Sequence, residues 1–209
     1  MMGGSIGNLL AEKTSATLFE HRRLDGPSNG LGDLTSALFL ARLALALGQA
    51  LGRGSLGRLL DVGTGTGVLT ALLLVRGVLK VVATDLEARA LACAADNLDR
   101  LQCSPQVELV QADLFPAGKA SLIVCNPPWI PAKASAAIER AVYDEGSKML
   151  MGFLQGLKDH LLPQGEGWLV MSDIAEHLGL RTREQLLQAI EQAGLKIVGK
   201  SDIRPRHGK

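Results

Sequence analysis

The residues of this chain that could do chemistry fall in four short clusters. Leu59-Leu60-Asp61-Val62-Gly63-Thr64-Gly65-Thr66-Gly67-Val68-Leu69 reads as an apolar strand entering a glycine-rich turn that opens a helix. In that arrangement backbone N–H groups and a helix N-terminus face a bound cofactor. Glycine at 63, 65 and 67 leaves no side chain between the main chain and the ligand. The spacing G-x-G-x-G departs from the dinucleotide fingerprint because position 68 is Val. The Asp61 carboxylate would repel a pyrophosphate, whereas it would accept a hydrogen bond or meet a positive charge. The turn therefore suits a nucleoside-like cofactor without phosphates.

The second cluster is Asp85, ending Val81-Val82-Ala83-Thr84. A carboxylate there accepts both hydroxyls of a ribose, or equally caps the helix that begins near Glu87. The third, Asp113-Leu114-Phe115, offers an acceptor for an adenine amino group with Leu114 against the ring, or else a solvated turn. The fourth is Asn126-Pro127-Pro128-Trp129-Ile130-Pro131. Consecutive prolines fix the backbone and remove two N–H donors, leaving a rigid rack of carbonyl acceptors. A planar amide or base amino group could donate to the Asn126 side-chain oxygen and the Pro127 carbonyl while stacking on Trp129. The competing reading is a strand terminator with a core tryptophan.

Short apolar strands alternating with helices must position these clusters. Strands are expected over 58–62, 79–84, 106–110, 120–125, 167–172 and 195–201, and helices over 67–76, 87–101, 147–161 and 182–193. This is the pattern of an α/β, doubly wound, mostly parallel sheet of Rossmann-like form, whose ligands sit at the carboxyl ends of the strands. All four clusters fall at those ends. Upstream, Asp33 caps an apolar-periodic run that stops at the glycines 52 and 54, giving a helix within 33–57 that covers the sheet. Residues 1–32 read as a loosely ordered arm, with only weak periodicity for a helix over 8–20, and 58–209 as the cofactor-binding domain.

Composition narrows the class. Hydrophobic residues make up 47% of the chain and aromatics 3%, so the core is aliphatic, which favours helices on a parallel sheet over an all-β fold. With 22 basic and 21 acidic residues there is no global electrostatic case for a nucleic-acid or membrane partner, although a local patch stays open. Cys93, Cys103 and Cys125 are odd in number and form no C-x-x-C, which argues against a disulfide framework and a zinc site. The longest apolar run, from Ala37 to Leu47, is interrupted by Arg42, and no secretory leader pattern is present. A soluble, cytoplasmic protein is expected.

In their order and spacing, Asp61-Val62-Gly63-Thr64-Gly65-Thr66-Gly67, Asp85, Asp113 and Asn126-Pro127-Pro128-Trp129 resemble the motif set of the class I S-adenosylmethionine-dependent methyltransferases, over residues 58–201. Within them the chain is similar to the N-methyltransferase branch whose fourth motif is N-P-P-Y/W/F. That branch includes release-factor glutamine, ribosomal RNA guanine and DNA adenine methyltransferases. Residues Val110 to Asp173 also resemble the bacterial "small domain" group, a label that names no substrate.

The resemblance implies S-adenosyl-L-methionine as cofactor. Asp61, Gly63, Thr64, Gly65 and Gly67 would take its methionine part, with Asp61 meeting the ammonium. Asp85 and Leu86 would hold the ribose, and Asp113 and Leu114 the adenine. Asn126 would border the cofactor and, with Pro127, Pro128 and Trp129, position the acceptor nitrogen of a macromolecular substrate, a protein glutamine or an RNA base. In-line displacement at a sulfonium methyl rests on the leaving group and on orientation, so no metal and no membrane partner are implied. Two departures stand out. The family sheet has seven strands, the last pair an antiparallel hairpin, and only six are recognised here, so either the chain is a piece of a longer protein or the N-terminal arm fills the edge. The release-factor enzymes also carry a dedicated N-terminal helical domain longer than the stretch preceding the glycine turn here.

Weaker candidates complete the inventory. Tyr143, Asp144 and Glu145 lie in a loop that could close over a substrate and take up a proton, or could simply be solvated. Asp173, Glu176 and His177 follow the fifth strand, with the histidine in contact with substrate or structural, and the basic residues of 204–209 either touch phosphate or fray. Cys125 reads as a small buried residue. Of the alternatives to an enzyme, a non-catalytic cofactor-binding scaffold has no use for the acceptor rack, and a nicotinamide dehydrogenase is disfavoured by Asp61 and Val68.

Overall fold

A computed structural model of the protein describes residues 6–12, 15–20, 58–75, 77–133 and 142–199. The expected helix within 33–57, the basic residues of 204–209 and part of the 131–147 loop lie outside them. The strands are β1 (Ile6–Glu12), β2 (Ser15–Glu20), β3 (Leu59–Val62), β4 (Val81–Asp85), β5 (Val107–Gln111), β6 (Ala120–Cys125) and β7 (Leu161–Ser172). The helices are α1 (Val68–Val75), α2 (Ala88–Arg100), α3 (Lys148–His160), the short α4 (Ile174–His177) and α5 (Arg183–Gln192). The strands form one sheet in the order β2-β1-β7-β6-β3-β4-β5. Five of them, from β7 across to β5, run parallel, and β1 is antiparallel to both β2 and β7.

Alternation along the strands divides the core between the two sheet faces. Leu60, Val62, Val82, Ile123, Cys125, Leu169 and Met171 meet Leu150, Phe153, Leu154 and Leu157 of α3 and Leu186 and Ile190 of α5. Leu59, Val81, Leu122, Val124, Trp168 and Val170 meet α1 and α2 on the other face. Helix α5 starts with a capping box in which Thr182 Oγ1 accepts from the Gln185 amide and the Gln185 side chain accepts from the Thr182 amide. These faces hold β3 between β4 and β6, the point where strand order reverses and ligands of open α/β sheets bind.

The expectation of six strands is corrected at one end and extended at the other. Residues 195–199, the described part of the expected 195–201 strand, form no extended strand and carry only a single β-bridge residue, Ile197. Leu195 and Ile197 pack against the α3–α5 core instead, because the edge of β7 where a strand could join is already taken by β1. The hairpin of β1 and β2 from the N-terminal arm lies along the free edge of β7, with Ile6 opposite Ser172 and Glu12 opposite Glu166. A helix over 8–20 is therefore not formed. The fifth strand begins at Leu161 rather than 167, and the register with β6 shifts between Ala120 and Leu122. Such an irregularity absorbs Pro163 and the positive φ of 65° at Gln164.

Candidate active site

Strand register brings the four clusters to one edge. Val62 pairs with Thr84 on one side and Cys125 on the other, so Asp85, Gly63 and Asn126 emerge side by side at the carboxyl ends of β4, β3 and β6. Asp85 pairs with Gln111, the last residue of β5, so Asp113 follows just past that strand's end, and Asp173 follows β7 on the opposite flank. Neighbouring strands are about 4.8 Å apart, so a ligand of nucleoside size lying from Asp113 to Gly63 ends beside Asn126.

The glycine turn is built from positive φ at Gly63 (71°), Gly65 (56°) and Gly67 (82°). At Gly67 a Cβ would lie 3.2 Å from that of Ala94, so the turn approaches α2 closely. At Gly63 a Cβ would collide with the Met149 side chain, which reaches across from the first turn of α3. The Thr64 amide donates to the Thr84 carbonyl at 2.8 Å, pinning the turn to β4.

Asp61 is wholly buried. Its Oδ2 accepts from the hydroxyls of Thr64 at 2.8 Å and Thr70 at 2.7 Å, whereas its Oδ1 has no partner. Burial pushes its pKa up from 3.8 to about 6, the two hydroxyls pull it back, and the nearby Asp85 adds to the rise. Oδ1 is thus a buried acceptor with no donor among the described residues. Thr64 thus serves Asp61 with its side chain, and Thr70 does the same from α1. The signal for Thr70 was a hydroxyl one helical turn beyond Gly67, facing back to the strand end.

Asp85 is held by two backbone amides. Its Oδ1 accepts from the Glu87 amide at 2.9 Å, in the manner of a helix cap, and its Oδ2 accepts from the Gly65 amide at 2.9 Å, joining the second cluster to the first. Each oxygen keeps a lone pair for a ligand hydroxyl. Leu86 is exposed beside it. Asp113 is exposed, while Leu114, at a φ of 69°, accepts the Thr84 hydroxyl on its carbonyl at 2.7 Å and lays its side chain toward Gly152 of α3.

On the acceptor side, Asn126 is exposed and Pro127 buried, and Trp129 is partly buried against the cores of both sheet faces. The Trp129 indole N–H donates to Asn126 Oδ1 at 3.2 Å. Cys125, just before, is fully buried, and burial pushes its thiol pKa up, which leaves it inert.

The loop after the rack is tied down at both ends. The Ile130 amide donates to the Val142 carbonyl and the Asp144 amide to the Ile130 carbonyl. The buried Asp144 carboxylate accepts from the amides of Met149 and Leu150, satisfying the start of α3. Asp144 is thus a cap rather than a solvated loop residue. Arg181, also buried, reaches Ser147 Oγ with Nη1 at 3.4 Å, and its Nε and Nη2 have no partner. His177 Nε2 lies 3.0 Å from Asp173 Oδ2. Among the described residues no three His, Cys, Asp or Glu side chains come together as metal ligands, and no helix is long and apolar enough to cross a membrane.

Comparison with known proteins gives this geometry a family. The chain is similar to the release factor glutamine methyltransferase of Agrobacterium fabrum, with 33% identity over 121 residues, 56% of this chain and 41% of that protein. It is similar to the tRNA1(Val) (adenine(37)-N6)-methyltransferase of Vibrio vulnificus, with 28% identity over 157 residues, 72% of this chain and 63% of that protein. The chain thus spans less than two thirds of the length of either relative. The crystal structure of ribosomal protein L11 methylase from Lactobacillus delbrueckii subsp. bulgaricus superposes with a TM-score of 0.52 at 20% identity, covering 74% of this chain and 67% of that one, and supports the Rossmann-like fold. Residues 27–195 match the methyltransferase small domain, and the chain belongs to that family.

Proposed function

We propose that this chain is an S-adenosyl-L-methionine-dependent N-methyltransferase acting on a planar amide or exocyclic amino nitrogen of a protein glutamine or an RNA base. The observation that carries the reading is the juxtaposition of Asp61, with its donor-free buried Oδ1, under the glycine turn with the Asn126-Pro127-Pro128-Trp129 rack one strand away. The residues fit the cofactor. Asp61 Oδ1 is a buried acceptor without a donor, which an ammonium supplies. Asp85 and Leu86 hold the ribose, and Asp113 with Leu114 takes the adenine. When bound, the cofactor supplies a methyl group on a positive sulfur that leaves as a neutral thioether.

The chain's part is orientation. Asn126 Oδ1 and the Pro127 carbonyl accept the two N–H bonds of the acceptor nitrogen, Pro128 stiffens the backbone behind them, and Trp129 braces the plane of the group. Hydrogen bonding in that plane turns the nitrogen lone pair toward the donor half. Most of the barrier reduction then comes from holding the two reactants in line. The reading is supported by relatives whose names specify a glutamine and an adenine N6 acceptor.

The test is transfer of radiolabelled methyl from the cofactor into total RNA and total protein from a strain lacking this chain. Label in either fraction is the expected result and names the acceptor class. Cofactor binding with no label in either fraction would instead make the chain a scaffold. Asp85→Ala should weaken cofactor binding by about 1–3 kcal/mol, through the unpaired hydroxyls and the loosened Gly65 amide. Unchanged affinity by calorimetry would remove Asp85 from the site.

A further inference from the structure

We infer that Trp129 has a second task besides bracing the acceptor plane: its indole N–H sets the Asn126 amide so that Oδ1, and not Nδ2, faces the acceptor nitrogen. This inference rests on reading 126–129 as the acceptor site. Asn126 is exposed, so its terminal torsion is broad and its two ends are nearly equal in size. Left to solvent, the amide would spend much of its time with its NH2 end forward, donating where the reaction needs an acceptor. An indole N–H is a donor only. It pairs with Oδ1 at 3.2 Å and is unfavourable toward Nδ2, which removes the ambiguity.

The donor is itself fixed, because the Trp129 ring is packed against the cores of both sheet faces. A carbonyl oxygen accepts two hydrogen bonds, so the bond from Trp129 leaves one lone pair for the substrate. Trp129 is in this respect a positioning residue, acting through Asn126. A phenylalanine at 129 would keep a ring at this position and lose the selection.

Two measurements test this. The chain has two tryptophans, and the other indole, Trp168, donates to Glu166 Oε2 at 3.0 Å. In 15N-labelled protein the two indole signals are assigned with Trp129→Phe. Asn126→Ala, at an exposed position that folding does not need, should shift the Trp129 indole signal and speed its exchange with water, leaving that of Trp168 in place. An unmoved signal overturns the hydrogen bond and the inference with it.

In the radiolabel assay, Trp129→Phe should lower kcat about 3–10-fold, the range expected for one net hydrogen bond. The apparent KM for the labelled RNA or protein fraction and the Kd for the cofactor should stay within about twofold. Trp129→Leu should raise the apparent KM as well, because the ring is lost. If Trp129→Phe turns over at the wild-type rate, the positioning role fails while the methyltransferase reading stands. If wild-type protein labels neither fraction, the functional reading fails, and the inference as a statement about catalysis fails with it.

Discussion

Asn126→Ala should lower methyl transfer by about 10²–10³-fold and leave the Kd for the cofactor within about twofold, because it removes an acceptor aimed at the reacting nitrogen and little else. The side chain is exposed and its hydrogen bond is to Trp129, so folding stability should move by no more than about 0.5 kcal/mol. The prolines keep the backbone in place in the variant. The Pro127 carbonyl then holds the acceptor by one hydrogen bond instead of two, and the group can rotate in the plane of Trp129. Loss of in-line geometry falls on kcat more than on KM. Initial rates with radiolabelled methyl, together with calorimetry of cofactor binding, separate the two parameters. A rate within about threefold of wild type would mean that the acceptor nitrogen is held elsewhere.

Asp61→Asn should have opposite effects on stability and on ligand binding. The folded-state pKa of Asp61 is raised from 3.8 to about 6, so the folded protein binds the proton more tightly than the unfolded chain does. Its contribution to stability is therefore complete below pH 4 and is lost as pH rises through 6. At pH 8 the wild-type protein carries the whole penalty of a buried charge, on the order of 3 kcal/mol for a shift of this size. Asparagine is neutral throughout and still offers Thr64 and Thr70 an oxygen, while its NH2 takes the orphaned Oδ1 position at some loss. The ligand-free variant should thus melt higher than wild type at pH 8, and this advantage should vanish toward pH 4. Cofactor affinity should fall at least about tenfold at pH 8, because a neutral amide cannot replace a carboxylate opposite an ammonium. Thermal melts at the two pH values and calorimetry at the higher one check both halves. Equal melting behaviour across pH would show that Asp61 is not held at cost, and a full-strength cofactor complex would move the ammonium elsewhere.

The central parallel strands and their helices were legible because each repeats a simple pattern. Val81-Val82-Ala83 and Leu122-Ile123-Val124-Cys125 are continuous apolar runs, as strands covered on both faces must be. The helices between them end at glycines or other breaks, so their boundaries fall within a residue or two of expectation. The outer elements were harder to read. The sequence between β1 and β2, Lys13-Thr14, is not among the dipeptides that announce a hairpin, and the partner strand β7 is far away in sequence. Leu195 and Ile197 alternate as a strand would, but alternation records only which side is buried, and here the burial is against helices. In the site, Asp61 and Asp85 could be found from spacing. That Met149 reaches Gly63 is a contact between distant segments, which no local pattern carries, whereas Thr70 with Asp61 and Asp144 with the start of α3 are short-range pairings that motif spacing passed over.

The pairing of β1 with β7 also bears on how the molecule comes into being. Ile6 lies opposite Ser172, so the residues that meet at this edge are separated by 172 − 6 = 166 positions. At a synthesis rate of about 5–20 residues per second, the first strand leaves the ribosome roughly 8–33 s before its partner. Contacts this remote close late and slow the final step of folding. Until β7 arrives, the hairpin is an unfinished ribbon of the kind that recruits chaperones or neighbouring chains. Once made, the same pairing ties the beginning of the described chain to its later half, so that pulling on the one end must disrupt the other.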